Sequence, residues 1–303
     1  RMSVDSNYSE VDFLVNDLFD GSTLAFDSTA TSITFNMNRT GAAESNTTSA
    51  TVEIGSGTTA NFDKGAADDV DALTINSIGT VASVLTLDET EDYLSTAASP
   101  DSLTVTGSNS ITLVMSQEVT AQGFDGGAIT NSLTGDATLT VRLTDDDAAG
   151  DTALEGGQID LTGVNADVIQ LDTITQDATD LKVASGQVIS TRAADDIQGD
   201  ILITSGTAGG TVTLNLAAGE ANTTTDTIEF VNAGTVNIAS TAGAAITYAG
   251  TDITTSYAGI GNSTDLNIET GNGLTLSAAV AAEAGSTLDA VTVTGGDFTT
   301  TTT

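Results

Sequence analysis

The feature that most constrains this chain is a recurring unit: two apolar residues separated by one, a Gly/Asn/Ser turn, then a second such pair. It stands as LTVTGSNSITL at 103–113, IDLTGVNADVIQL at 159–171, ILITSGTAGGTVTL at 201–214, IEFVNAGTVNI at 228–238 and LNIETGNGLTL at 266–276. A repeat decides the fold class before any element is assigned, because each unit can bury its apolar face only against its neighbours. Counted from the first apolar residue of each unit, Leu139, Ile159, Leu181, Ile201, Ile228, Ile246 and Leu266 are spaced by about twenty residues with one longer step, and Ile33, Val52 and Leu73 keep the same spacing.

Within a unit the alternation is that of a strand with one buried face: Leu103 and Val105 before the turn, Ile111 and Leu113 after it, with Thr and Asp between them. The turns carry Gly107, Asn165, Gly206, Gly234, Gly271 and Asn272, residue types that accept positive φ. Two or three short strands with their turns close one coil of a parallel β-helix. The expected fold is therefore all-β, a parallel β-helix (β-solenoid) with coils of about 20 residues. Antiparallel β-sandwich domains are the alternative, since turn signals every 8–12 residues or so also describe that class. Three features favour the solenoid: turns longer than two-residue hairpins, an aliphatic core, and an aromatic content of only 4%.

The ends depart from the repeat. In SEVDFLVNDLFD at 9–20, Val11, Leu14, Val15 and Leu18 have helical spacing and Gly21 offers a stop, which predicts a short N-terminal helical cap within a segment 1–30. The repeat domain is placed at 31–298, and 299–303 reads as a Thr-rich tail or linker. Segments 88–100 and 278–284 read as loops or short helical turns between coils.

Charge narrows the partners. Forty-two acidic residues face six basic ones, a formal charge of −36, which repels nucleic acid and anionic membrane surfaces and attracts cations. No apolar run approaches the 18 or so residues of a membrane helix, so membrane insertion is not expected. The sequence has no cysteine and no histidine, which removes disulfides, Cys-ligated zinc and iron–sulfur sites, the thiolate nucleophile and the usual neutral-pH base. The pairs Asp68/Asp69 and Asp195/Asp196 could serve glycoside hydrolysis, but no tryptophan is present to stack a sugar. An enzyme is not expected.

Calcium is the better use for these carboxylates, because a hard cation takes six to eight oxygens and Asp-rich turns supply them. Four clusters are the candidate ligands: Asp68, Asp69 and Asp71; Asp88, Glu89, Glu91 and Asp92; Asp145, Asp146, Asp147 and Asp151; Asp195, Asp196 and Asp200. Neither an EF-hand loop nor an intact glycine-rich nonapeptide is present, GGQID at 156–160 being only a fragment of the latter. Five Asn-x-Ser/Thr sequons match chance for so Thr-rich a chain, and the T-x-T units such as Thr104/Thr106 and Thr211/Thr213 reflect β-propensity.

By the segment TVTLNLAAGEANTTTDTIEFVNAGTVNIAS at 211–240, the chain resembles the repeat regions of bacterial surface-layer (S-layer) proteins and of RTX-type secreted calcium-binding β-helical proteins. The resemblance covers about 70–298 and implies a calcium-dependent β-helical lattice or filament protein. The expected function is a self-assembling structural protein, extracellular and at the cell surface, whose partners are further copies of itself and cell-surface polysaccharide. A secreted adhesin or phage-type fibre stalk is the alternative.

Overall fold

The computed structural model describes residues 10–15, 22–26, 32–37, 50–54, 59–63, 72–87, 102–116, 128–144, 157–171, 179–192, 200–216, 221–222, 227–240, 246–248, 252–257, 262–270, 274–276, 280–282, 284–295 and 298–300. Among the described residues all regular structure is β, every strand pairing is parallel, and there is no helix. The molecule is a β-solenoid. It divides into two compact units, Arg1–Asp146 with Gly163–Asp167, and Asp147–Thr162 with Val168–Thr303.

In the first unit the chain alternates between two stacks. One holds β1 (Glu10–Val15), β3 (Ser32–Met37), β5 (Thr59–Asp63), β7 (Ser83–Leu87), β9 (Ile111–Ser116) and β11 (Leu139–Thr144). The other holds β2 (Ser22–Phe26), β4 (Ala50–Ile54), β6 (Ala72–Ser77), β8 (Ser102–Gly107) and β10 (Ala128–Leu133). In the second unit one stack runs through β13 (Val168–Leu171), β15 (Val188–Thr191), β17 (Gly210–Leu216), β20 (Ala233–Ser240), β23 (Thr264–Thr270) and β26 (Leu288–Gly295). A second runs through β12 (Gly157–Leu161), β14 (Thr179–Val183), β16 (Ile201–Ser205), β19 (Thr227–Val231), β22 (Asp252–Ser256) and β25 (Val280–Ala282). A third stack, β18 (Ala221–Asn222), β21 (Ile246–Tyr248), β24 (Leu274–Leu276) and β27 (Phe298–Thr300), gives the later coils three sides.

Register makes the core. Leu85, Leu113 and Val141 are partners on successive rungs and fully buried, as are Leu181, Ile203 and Phe230 in the second unit. Along β17 burial alternates residue by residue, with Val212, Leu214 and Leu216 inside and Thr211, Thr213 and Asn215 half-exposed. Each buried aliphatic contributes about 1.5–3 kcal/mol relative to exposure, and stacking identical geometries lets short strands share one continuous core.

Two expectations are corrected. The helix expected within 9–20 is instead strand over Glu10–Val15, paired with β3 with Phe13 and Phe35 as register partners. The segment Val11-Asp12-Phe13-Leu14-Val15 satisfies period two as well as helical spacing, and a neighbouring strand supplies hydrogen bonds that an isolated helical turn lacks. The coil length also differs: register offsets run from 20 residues (Ile169 to Ile189) to 30 (Leu73 to Leu103), with 28 between Ile111 and Leu139. The twenty-residue count mixed strands of different stacks, since Leu139 belongs to β11, Ile159 to β12 and Ile246 to β21. Strand β25 forms within the Ala-rich stretch 278–284, and β27 takes in Thr299 and Thr300. The segment 88–100 lies outside the described residues.

Short turns lock rung to rung. At Gly107 the backbone has φ 113°, and a Cβ there would run into the Ser77 carbonyl, which accepts the Ser108 and Asn109 N–H groups at 3.1 and 3.3 Å. Asn109 is buried, and its Nδ2 donates to Val81 O at 2.7 Å and to Ser83 Oγ at 3.3 Å in the preceding turn. Elsewhere a corner side chain accepts a backbone N–H from an adjacent coil: Ser110 Oγ from Thr138, Ser185 Oγ from Thr211, and Ser286 Oγ from Tyr257.

Candidate functional site

Parallel register places like positions of successive coils in ranks on the outer faces, so the site to consider is a surface. In the first unit Thr23, Thr51, Thr74, Thr104 and Thr130 are consecutive partners, a rank of five threonines. Thr74 and Thr104 are half-buried and Thr130 is exposed. The neighbouring rank is mixed: Ala25, Glu53, Asn76, Thr106 and Ser132. Here Thr106 Oγ1 lies 3.3 Å from both Ile75 O and Asn76 Oδ1 on the rung below. T-x-T spacing could not reveal the threonine rank, because its members come one per coil at unequal sequence distances.

The second unit carries an amide ladder. Asn237 Nδ2 donates to Thr213 Oγ1 at 3.3 Å, and Asn267 Nδ2 donates to Asn237 Oδ1 at 3.0 Å, along partners of β17, β20 and β23. Each donor uses an acceptor one rung below, so the chain of bonds has a direction.

The charged feature lies on β12, β14 and β16. Asp160 and Lys182 are register partners, with Lys182 Nζ 2.6 Å from Asp160 Oδ2 and side chains 22% and 34% exposed. Thr162 gives Asp160 Oδ1 two further bonds, from its hydroxyl at 2.6 Å and its N–H at 3.0 Å. Partial burial on its own would raise the carboxyl pKa. The bonds from Lys182 and Thr162, with the ammonium charge, outweigh it and hold the group below the ordinary aspartate value. One rung on, Thr204, the register partner of Lys182, donates its hydroxyl to Asp180 Oδ1 at 2.9 Å. A carboxylate so engaged is a cross-strand brace; its lone pairs are committed to protein donors.

The expected calcium ligands fall as follows. Asp68, Asp69, Asp71, Asp88, Glu89, Glu91, Asp92, Asp145, Asp146, Asp147, Asp151, Asp195 and Asp196 lie outside the described residues. Asp200 is described: it is half-buried, and its Oδ1 accepts the Thr227 N–H at 2.6 Å. Among the described residues no three His, Cys, Asp or Glu come together as a metal group.

In chain order the first cluster follows β5, the second β7, the third β11 and the fourth β15. The described turns 78–82, 108–110, 134–138, 163–167, 184–187 and 206–209 hold two acidic residues, Asp136 and Asp167. Comparison of the chain with protein-family models, curated proteins and solved structures finds no match to any of them.

Proposed function

We propose that this protein is a self-assembling structural subunit of an extracellular surface layer or filament, in which calcium bridges acidic connections of neighbouring copies. The observation that carries this reading is the charge pattern: four acidic clusters on a chain of −36, each following a different strand of an in-register parallel β-solenoid. A stack of parallel strands repeats at a spacing of about 4.8 Å, so one copy offers a neighbour the same backbone features at regular intervals. Oxygen-rich turns suit a hard cation, which needs several ligands and tolerates irregular geometry. With −36 charges on one chain, close approach of two copies requires neutralisation, and a divalent ion supplies it at half the number of bound ions. A solenoid also offers many equivalent contacts along its outer faces, which is what a lattice uses.

The test is light scattering coupled to size exclusion, with electron microscopy, in chelator and in millimolar calcium. Ordered sheets or filaments in calcium, dispersed by chelator, are expected; a monomer under both conditions sinks the reading. Replacing Asp145, Asp146, Asp147 and Asp151 by Asn should raise the calcium concentration needed for assembly. Isolated single or trimeric rods in calcium would favour the adhesin or fibre-stalk reading instead.

A further inference from the structure

In the second unit, strands β17, β20, β23 and β26 carry two core rows from rung to rung. One row is Val212, Val236, Leu266 and Val291; the other is Leu214, Ile238, Ile268 and Val293. The first three members of each row are buried, but Val291 is 51% exposed and Val293 37%. These two valines hold core positions on a rung that, among the described residues, no further strand covers. Strands β25 and β27 are likewise the last of their stacks.

The edge of β26 is suited to pairing. Its register on β23 is unbroken over Ala290–Gly295; the one irregularity lies between Thr264 and Asp265, where Asp289 is the extra residue. The run Val291-Thr292-Val293-Thr294 is β-branched throughout and holds no Lys or Pro. Edge strands that avoid pairing carry such residues, or a bulge along their length, and solenoid ends that avoid stacking present a polar face. This rung presents neither along Ala290–Gly295.

We infer that the β26 rung is a docking face for a second copy of this chain, which lays its β1 in parallel along the β26 edge and covers Val291 and Val293. The occupant follows from the ladder itself. Strands β1 and β26 each pair in parallel, with β3 and β23, and among the described residues each is paired on one side. Two copies keep both the parallel sense and the apolar face on one side only by setting the first edge on the last. β1 also has the matching period, with Val11, Phe13 and Val15 as register partners of Ile33, Phe35 and Met37. Such a contact is head to tail, so it propagates instead of stopping at a two-fold dimer. Glu10, Asp12 and Asp289 repel across it, and the joint forms where salt screens them. It needs no calcium, so it stands apart from the reading above.

The test uses the full chain in chelator with about 1 M sodium chloride, where the Debye length is about 3 Å. Sedimentation velocity over a rising protein concentration should show oligomers that grow past the dimer. Hydrogen exchange should slow with concentration at the amides of β26 and β1 together. Val291→Lys with Val293→Lys should weaken association about tenfold or more, because two apolar side chains no longer gain from burial. Val81→Lys, at a 60% exposed valine on the 78–82 turn, should leave association unchanged. A monomer at every concentration overturns the docking face. Protection of β26 that does not depend on concentration also overturns it, since a segment of the same chain would then cover the rung. Protection of β26 without β1 means that like edges meet, and overturns the head-to-tail contact. The concentration series on the parent chain decides even where the double variant fails to fold.

Discussion

At the scale of single residues, the Asp160–Lys182 pair shows how a very acidic surface uses one of its few cations. The two side chains meet across adjacent rungs, and Thr162 supplies two more donors to the same carboxylate. A carboxyl held below its ordinary value favours the folded state above its unfolded pKa, about 3.9 for aspartate, and loses that contribution as pH falls through the folded value. Asp160→Asn should therefore lower stability by about 0.5–1 kcal/mol at pH 7, the scale of partly exposed pairs. The gap to the parent should close in acid. Urea melts at neutral and strongly acidic pH measure it, and a gap that widens in acid would contradict the sign. The outward place of Asp160 was legible from the alternation in IDL at 159–161. Its pairing with Lys182 was not, because partners 22 residues apart are set by coil length, which the sequence does not display.

At the scale of elements, the short turns decide how accurately one coil sits on the next. Asn109 is the clearest case: a buried amide donating into the turn at Ile78–Val81 of the coil before it. Asn109→Ala removes a donor and leaves the Val81 carbonyl with one partner fewer, which should cost about 1–3 kcal/mol. Asn109→Asp should cost at least as much, because a carboxylate cannot donate to a carbonyl. Thermal melts read both, and faster exchange of the Ser83 amide, bonded to Ser110 O, would place the damage at this turn. The turns themselves were visible as Gly/Asn/Ser runs between Φ-x-Φ pairs, and so were their flanking strands. The N-terminal strand was misread because a short apolar segment fits both periods, and only its pairing with β3 separates them. The threonine rank and the amide ladder stayed hidden for the reason that hid Lys182: ranks run across coils, and sequence patterns run along them.

At the scale of the whole molecule, charge and coil stacking oppose each other. Forty-two acids on 303 residues repel at every rung, and salt shortens that repulsion from about 8 Å at physiological ionic strength to about 3 Å at 1 M. The melting temperature should rise with sodium chloride over that range, and calcium should raise it further at matched ionic strength. Calorimetry that finds no difference between the two salts would leave screening as the whole effect. The fold class was legible because period-two burial with shared turns admits few solutions. The acidic clusters were legible as runs of Asp and Glu; of their fourteen residues Asp200 is among those described, and it is bonded to the Thr227 N–H. The variable offset between register partners, from 20 to 30 residues, carries a consequence for how such a chain can change over generations. Stacking depends on the strands meeting in register and is indifferent to the length of the path between them, so insertions and deletions between strands are cheap. Those inside a strand shift every side chain after it to the wrong face. Descendants of such a gene should diverge fastest in length at the connections, while the order and count of strands persist.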